Sequence, residues 1–390
     1  MTGILIVPEL MAAAEIETGL SDWGDTEFHA PLHILVDSLN NEAALSEIGH
    51  VRVRQWLMAR LKQRLKLIED RRRIPAIADE TIDRPIFILG LPRAGTTFLH
   101  TLMGQNPDIL APLHWQLANP SPPPSDPDID HEPTIRWTQE MLGFQGWLDP
   151  DLQRMHFSDA SLPEEDFLAF ELSFVSMSFY GFWDIPDYAS RVFKTDDFGA
   201  AYCWHKRLMQ ALQYKGSAKR IVLKAPEHTM HLDMLFKTYP DAVIVHNHRD
   251  PAQVMGSTMS LLSTVRSRYT DRAQPASEDV ADRYVRSYAR SFKRCMQLRD
   301  DPRYADRFID VQYQDLAADP VTQVRRVYAH AGIEFTPKAE RGVADWAAAN
   351  RKGAHGKHRY PVDAFGLTPS RVHEIFSGYI ERFSVPLETN

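Results

Sequence analysis

Cysteine is scarce in this sequence. Only Cys203 and Cys295 occur among the 390 residues, and their separation fits no metal-binding motif. Two widely separated cysteines do not make a disulfide framework, so we expect a protein of a reducing compartment, with the cytoplasm as its location. Residues 4–7 form too short an apolar segment for the core of a signal peptide, and no basic residue precedes them.

Long hydrophobic runs are also missing. The most apolar stretch, residues 167–183, is interrupted by Glu171 and several serines. It falls short of the roughly 20 apolar residues that a membrane-spanning helix requires, so we expect no membrane span. With 44% hydrophobic and 25% charged residues, the composition is that of a globular protein with a sizeable core.

The chain carries no excess of positive charge. Its formal net charge of −8 argues against a broad nucleic-acid surface, which requires a basic domain. An anionic small molecule remains compatible, because a few arginines in a concave site outweigh a distant global charge. We therefore expect no nucleic-acid partner. The sequence does not specify an oligomeric state.

Short apolar runs alternate with helix-like stretches over most of the chain. One strand-like run ends at Gly90, and others occupy residues 220–224, 242–246 and 308–311. Such alternation predicts an α/β fold in which helices cover both faces of a parallel sheet.

The domain organisation follows from the same patterns. Residues 1–80 are predicted to form a helical N-terminal extension packed on the core, because apolar residues recur at helical spacing from residue 42 to about residue 72. Residues 81–390 are predicted to form a single α/β domain.

A proline-rich loop and an aromatic insertion interrupt the α/β pattern. Six prolines within residues 119–133 predict an extended loop. Residues 134–215 are predicted to be a helical insertion dense in aromatic residues. Most of these are expected in the core, and several are candidates for lining an apolar ligand pocket: Trp137, Trp147, Phe157, Phe167, Phe170, Phe174, Phe179, Phe182 and Trp183.

The segment from Phe87 to His100 is the most informative part of the chain. An apolar run ends in Gly90, a tight loop follows, and Gly95 precedes a predicted helix. Backbone N–H groups and the positive end of a helix converge on an anion in such a loop. The Gly-x4-Gly spacing matches a Walker A loop, but Thr96 stands where that motif requires lysine. This predicts a phosphate-rich nucleotide as ligand without ordinary ATP chemistry.

Pro92-Arg93-Ala94-Gly95-Thr96-Thr97 resembles the 5′-phosphosulfate loop of sulfotransferases that use 3′-phosphoadenosine 5′-phosphosulfate (PAPS), in a bacterial branch with arginine at the second position. The resemblance extends over about residues 85 to 355. Four further segments match in family order: Lys224, Arg249-Asp250-Pro251 with Ser257, Tyr313-Gln314-Asp315-Leu316 with Asp319-Pro320, and Arg351-Lys352-Gly353.

The resemblance implies a P-loop-like fold and transfer of a sulfuryl group from PAPS to a hydroxyl of a small acceptor. The aromatic insertion favours a hydrophobic alcohol or phenol over a sugar polymer. By resemblance, the donor is bound by the following residues: Arg93, Ala94, Gly95, Thr96, Thr97, Phe98, Arg249, Ser257, Tyr313, Arg351, Lys352 and Gly353.

Lys224 and Arg93 are the candidate groups for stabilising charge on the leaving phosphate, as the resemblance implies. The general base is left open. The better-known relatives carry a histidine two residues after the lysine, where this chain has Pro226. His228 is the first candidate, His114 the second, and Glu164 and Glu165 the third.

Other interpretations remain at this point. A P-loop kinase for small molecules lacks support, because the loop lysine and a clear Walker B aspartate are missing. A catalytically silent nucleotide-binding protein, with the aromatic insertion as a partner surface, does not account for Lys224 and Arg93. Four histidines, at 228, 231, 246 and 248, raise the question of a metal site, but structural zinc prefers closely spaced Cys and His pairs. We expect no metal.

Overall fold

The centre of the molecule is a parallel sheet of five strands. The computed structural model describes residues 4–193, 198–272, 278–350 and 362–388, with the side chains of 278–280 left aside. Across the sheet the strands run in the order β2-β3-β1-β4-β5. Their bounds are β1 Ile86–Gly90, β2 Ile109–Leu110, β3 Arg220–Lys224, β4 Val243–His248 and β5 Phe308–Gln312.

Helices surround this sheet. In the described residues the α-helices are α1 Val7–Thr18, α2 His29–Asn41, α3 Glu47–Arg73, α4 Ala76–Asp79, α5 Thr96–Met103, α6 His114–Ala118, α7 Glu132–Phe144, α8 Pro150–Met155, α9 Phe167–Phe170, α10 Met177–Phe182, α11 Pro186–Val192, α12 Gly199–Gln213, α13 Leu232–Thr238, α14 Pro251–Arg266, α15 Glu278–Arg299, α16 Tyr313–Ala318, α17 Pro320–Ala331, α18 Pro337–Ala349, α19 Pro369–Ile375 and α20 Ser377–Phe383. Short 3₁₀ turns cover Glu171–Ser173, Pro226–Met230, Ala305–Arg307 and Val362–Phe365.

Both faces of the sheet are buried, which explains why its central strands are continuous apolar runs. Side chains alternate between the two faces of a strand. Phe87 and Leu89 of β1 pack in one core with residues of α12 and α13. Ile86 and Ile88 of the same strand pack in another core with residues of α5 and α17. Phosphate-binding loops leave such sheets at the carboxyl ends of the strands, and β1 ends there at Gly90.

The N-terminal helices share a core with the aromatic insertion. Residues of α1, α2 and α3 pack against Phe174, Phe179 and Trp183. Arg64 of α3 lies between two rings, with its guanidinium carbon 3.9 Å from the ring centre of Phe28 and 3.8 Å from that of Trp204. Such desolvated cation–π contacts are worth roughly 2 kcal/mol, so α3 is firmly attached to α12.

The predicted fold class is confirmed: a parallel sheet flanked by helices, with a helical N-terminal region and a helical insertion. The division into an extension of 80 residues and one larger domain stays a prediction. No helix in the described residues has both the length and the apolar composition to cross a membrane.

Candidate active site

The loop after β1 brings backbone unusually close to its neighbours. A Cβ at Gly90 would lie 2.7 Å from the carbonyl oxygen of Asn247, and one at Gly95 would lie 2.7 Å from the Tyr313 ring. Both glycines and Arg93 have positive φ angles, of 149°, 85° and 69°. A positive φ costs a non-glycine residue such as Arg93 of order 1–3 kcal/mol, and residues with this strain cluster at functional sites. The loop is therefore shaped for close approach of a ligand to its backbone.

The loop opens into a cavity of about 980 Å³. Helix α5 begins at Thr96 on the cavity wall, and no side chain caps its N-terminus within the described chain. Of the predicted donor-binding residues, the following line the cavity: Arg93, Gly95, Thr96, Thr97, Phe98, Arg249 and Tyr313. Ala94, a residue of the loop itself, is fully buried. Arg351, Lys352 and Gly353 lie outside the described residues.

Lys224 connects the loop with a carboxylate. It ends β3, its side chain is 1% exposed, and its Nζ lies 3.2 Å from Thr97 Oγ1 and 2.7 Å from Glu165 Oε1. Glu165 lines the cavity with a side chain that is 22% exposed. One ammonium therefore contacts both the loop after β1 and a solvent-accessible carboxylate, which is the arrangement needed for charge stabilisation beside a proton acceptor.

Two arginines form the second cationic group. Arg93 Nε donates to Ser257 Oγ at 3.2 Å. Arg249 Nη1 donates to the backbone carbonyl oxygen of Arg93 at 3.0 Å. The Arg249 guanidinium stacks on Tyr313 at 4.0 Å and forms two hydrogen bonds with Glu388. Four of the residues predicted to bind the donor, Arg93, Arg249, Ser257 and Tyr313, are therefore brought together.

A second set of possible proton acceptors, beside Glu165, consists of two histidines and one carboxylate. His114 Nδ1 and His156 Nε2 each lie 3.4 Å from Glu164 Oε2, and both histidines line the cavity. These histidines and Lys224 hold the pKa of the buried Glu164 well below its ordinary value, although burial opposes this shift. His156 was missed at the level of sequence, because no local motif connects it with Glu164.

The position of His228 argues against its expected role as general base. The side chain is fully buried and is not part of the cavity wall. Its Nε2 lies 2.8 Å from Asp166 Oδ2 and its Nδ1 lies 2.9 Å from the Tyr202 hydroxyl, so both ring nitrogens have protein partners. A base must reach the acceptor proton. We therefore correct the assignment: His228 belongs to the buried core.

Asp166 is the centre of that buried network. Its Oδ2 also lies 2.7 Å from Nε2 of His205, whose Nδ1 lies 2.8 Å from the Tyr239 hydroxyl. The histidines favour the charged carboxylate, and the pKa of Asp166 is lowered despite burial. Asp166 directly follows Glu165, so the network fixes the backbone that carries the cavity carboxylate.

Metal-like groupings occur at two places in the described residues. Asp166, His205 and His228 form one, and His246, His248 and Asp310 form the other. In the first, the ligand atoms are hydrogen-bonded to one another. In the second, Asp310 also accepts two bonds from Arg299, at 2.7 and 2.8 Å. The absence of a metal requirement stays a prediction.

Part of the cavity wall is a cluster of aromatic rings. Phe182 makes edge-on contacts with Trp56, Trp147 and Phe167, at ring-centre distances of 5.6, 5.3 and 5.7 Å. All four line the cavity. We name this group the aromatic wall. Phe98 lies near the loop instead, 5.6 Å from the ring of Trp346.

Comparisons with known proteins place these features in a family. A family model described as "Sulfotransferase family" matches residues 85–337. A Mycobacterium bovis protein named omega-hydroxy-beta-dihydromenaquinone-9 sulfotransferase Stf3 is 27% identical over 287 residues, which cover 68% of each chain.

Solved structures agree with this match over the whole fold. Sulfotransferase STF9 from Mycobacterium avium has a TM-score of 0.88 at 26% identity, with 100% of both chains covered. Sulfotransferase STF1 from Mycobacterium tuberculosis has a TM-score of 0.82 at 29% identity and covers 97% of this chain and 100% of its own.

Proposed function

Because the chain belongs to the sulfotransferase family, we propose that it moves a sulfuryl group from PAPS to the hydroxyl of a small, largely apolar acceptor. The observation that carries this proposal is the position of the Lys224 ammonium, which contacts both Thr97 of the loop and Glu165 of the cavity wall. The comparisons favour a sulfotransferase over a small-molecule kinase, since the relatives and the solved structures are sulfotransferases.

The residues present fit an anionic nucleotide donor. Gly95 and the left-handed Arg93 let the loop backbone approach a phosphate closely. Arg93, Lys224 and Arg249 supply three cationic groups around the same loop. In this proposal the loop holds the 5′-phosphosulfate, while Arg249 and Ser257 hold the 3′-phosphate. When bound, PAPS supplies the sulfuryl group and leaves as adenosine 3′,5′-bisphosphate.

Lys224 and Arg93 stabilise the negative charge that develops on the leaving phosphate. Lys224 is nearly inaccessible to water, which strengthens its electrostatic effect. The Arg93 guanidinium can contact two oxygens at once.

Glu165 is our candidate for the general base. The acceptor hydroxyl must lose a proton as its oxygen forms the new bond to sulfur, and the Glu165 carboxylate takes up that proton. Lys224 holds one oxygen of this carboxylate at 2.7 Å, which fixes its position beside the loop. His114 and His156, held by Glu164, are the alternative because they line the same cavity.

The aromatic wall supports an apolar acceptor. It presents four large rings to the same cavity as Glu165, and such surfaces bind hydrophobic ligands by burial. The relative named as a sulfotransferase of a hydroxylated dihydromenaquinone supports the same acceptor class, an alcohol on a hydrophobic body.

Calorimetric titration tests the donor. We expect adenosine 3′,5′-bisphosphate to bind much more tightly than ATP with Mg²⁺, because separate groups contact the two phosphates. Tighter binding of ATP with Mg²⁺ would contradict the proposal and favour a kinase.

A further inference from the structure

A second cavity, of about 750 Å³, adjoins the first. The two cavities share three lining residues, Trp56, His114 and Trp147. Helix α3 forms one side of the second cavity, and α7 contributes to it through Met141 and Leu142. The aromatic wall therefore separates two compartments, and two of its members belong to both.

Two buried side chains on this cavity wall have polar atoms without a hydrogen-bond partner in the described residues. Arg60 and Gln63 are each 6% exposed and line the second cavity. Within the described residues, Nε and Nη1 of Arg60 and Oε1 of Gln63 have no hydrogen-bond partner. The nearest carboxylate to Arg60 is that of Glu171, with Oε2 3.8 Å from Nε, beyond hydrogen-bond distance.

Two neighbouring side chains on the same wall, Asn119 and Gln145, form hydrogen bonds. Asn119 accepts from Gln63 Nε2 at 2.8 Å and donates to Thr138 Oγ1 at 3.0 Å. Gln145 donates to the carbonyl oxygen of Arg52 at 3.1 Å. A buried arginine with two unpartnered guanidinium nitrogens is costly and calls for an explanation. One explanation is that a ligand bound in the cavity supplies an oxygen that accepts these hydrogen bonds.

The remaining lining of the second cavity includes many apolar groups. It includes the side chains of Met58, Ala59, Met141, Leu142 and Leu168, together with the half-exposed Trp137. A ligand for this cavity thus needs an apolar body and an oxygen for Arg60.

From these observations, and resting on the proposed function, we propose that the second cavity binds the distal part of an elongated apolar acceptor. The reacting hydroxyl lies beside Glu165, the body of the acceptor passes the aromatic wall, and a carbonyl or carboxylate oxygen at the far end accepts hydrogen bonds from Arg60. Arg60 then determines which acceptors are used, while the chemical step depends on Lys224 and Glu165.

Binding can be tested without the donor. Calorimetry should detect dodecanoate binding to the wild-type protein, and Ala59→Trp should abolish it by filling the second cavity. Val51→Trp is the matched control, because Val51 is an exposed residue of the same helix and lines neither cavity. Undetectable dodecanoate binding, or equal loss in both variants, would overturn the proposal.

Turnover tests specificity. Three acceptors are compared: naphthol, dodecanol and ω-hydroxydodecanoate. We expect Arg60→Met to lower kcat/KM for ω-hydroxydodecanoate by about tenfold to hundredfold, the effect of losing a charge-assisted hydrogen bond, and to leave naphthol unchanged.

The outcomes separate this inference from the proposed function. Unchanged naphthol turnover shows that a variant is folded and active. Equal losses for naphthol and ω-hydroxydodecanoate, or no loss for either, would overturn the role of Arg60. If the wild-type enzyme transfers sulfate to none of the acceptors, the proposed function fails, and calorimetry with dodecanoate still decides whether the second cavity binds a fatty chain.

Discussion

Glu388 holds Arg249 through two hydrogen bonds, of 2.7 Å to Nε and 3.2 Å to Nη2. Arg249 is the residue proposed to bind the donor's 3′-phosphate, so a carboxylate of the same chain competes for the guanidinium. The backbone N–H of Glu388 donates to Asp250 Oδ2 at 2.9 Å, and this hydrogen bond keeps the C-terminal segment in place.

Removing the charge of Glu388 should strengthen donor binding. We expect Glu388→Gln to bind adenosine 3′,5′-bisphosphate several-fold more tightly, because the phosphate no longer has to displace a carboxylate from Arg249. AMP, which lacks the 3′-phosphate, is the control ligand and should bind as in the wild type. Weaker binding of the bisphosphate, measured by calorimetry, would speak against this competition.

Removing Arg249 should have the opposite effect. We expect Arg249→Ala to weaken bisphosphate binding by about tenfold to hundredfold, since a charge-assisted contact to phosphate is lost. AMP affinity should change little. Equal losses for both nucleotides would show that Arg249 is not a specific contact of the 3′-phosphate.

Glu165→Gln should reduce turnover in a way that depends on the acceptor. With a simple alcohol we expect a loss of roughly 10²–10⁴, the usual contribution of a general base. An acidic nitrophenol needs less help with its proton, so much of the loss should disappear. Steady-state kinetics with the two acceptors measures this difference.

His228→Ala is the control for the base assignment. Loss of the buried contacts to Asp166 and Tyr202 should lower the thermal unfolding temperature. The ratio of turnover between alcohol and nitrophenol should stay as in the wild type. If this variant, and not Glu165→Gln, shows the acceptor-dependent loss, the assignment to Glu165 is wrong.

Glu227 should make the stability of the protein depend on pH. Burial raises its pKa to about 8, although Met177 N–H and Ser176 Oγ donate to it. A carboxyl with a raised folded-state pKa binds its proton more tightly in the folded state. Its contribution is therefore complete at acidic pH and is lost as the pH rises towards 8.

Glu227→Gln tests this directly, because the amide keeps an acceptor oxygen without ionising. Urea unfolding should show that the wild type loses a few kcal/mol more than the variant between roughly pH 5 and pH 9. Parallel pH profiles for the two proteins would contradict the assignment.

The sequence predicted the sheet well where strands are buried on both faces. β3 has the same bounds as the strand-like run predicted at residues 220–224. β4 and β5 end two residues and one residue after the runs predicted at 242–246 and 308–311. β2 escaped notice because two residues show no periodicity. The first 40 residues contain turn signals at Trp23 and Gly24, yet α1 and α2 form on either side, stabilised by the core that they share with α3.

Residues of the candidate site could be predicted only where they belong to a motif within one short segment of the sequence. The loop and Arg249 follow strands and Lys224 ends one, so their convergence at one sheet edge could be expected. The burial of His228 depends on Asp166 and Tyr202, which are far away in sequence. Likewise, the contact of Glu388 with Arg249 spans 139 positions and leaves no local pattern.

The central claim is tested most directly by following label from radiolabelled PAPS into naphthol in the presence of EDTA. The account predicts that labelled naphthyl sulfate forms with the wild-type enzyme, at the same rate with and without EDTA, and that Lys224→Ala nearly abolishes it. Failure of the wild type to form labelled product, or formation only when Mg²⁺ is restored, would contradict the account.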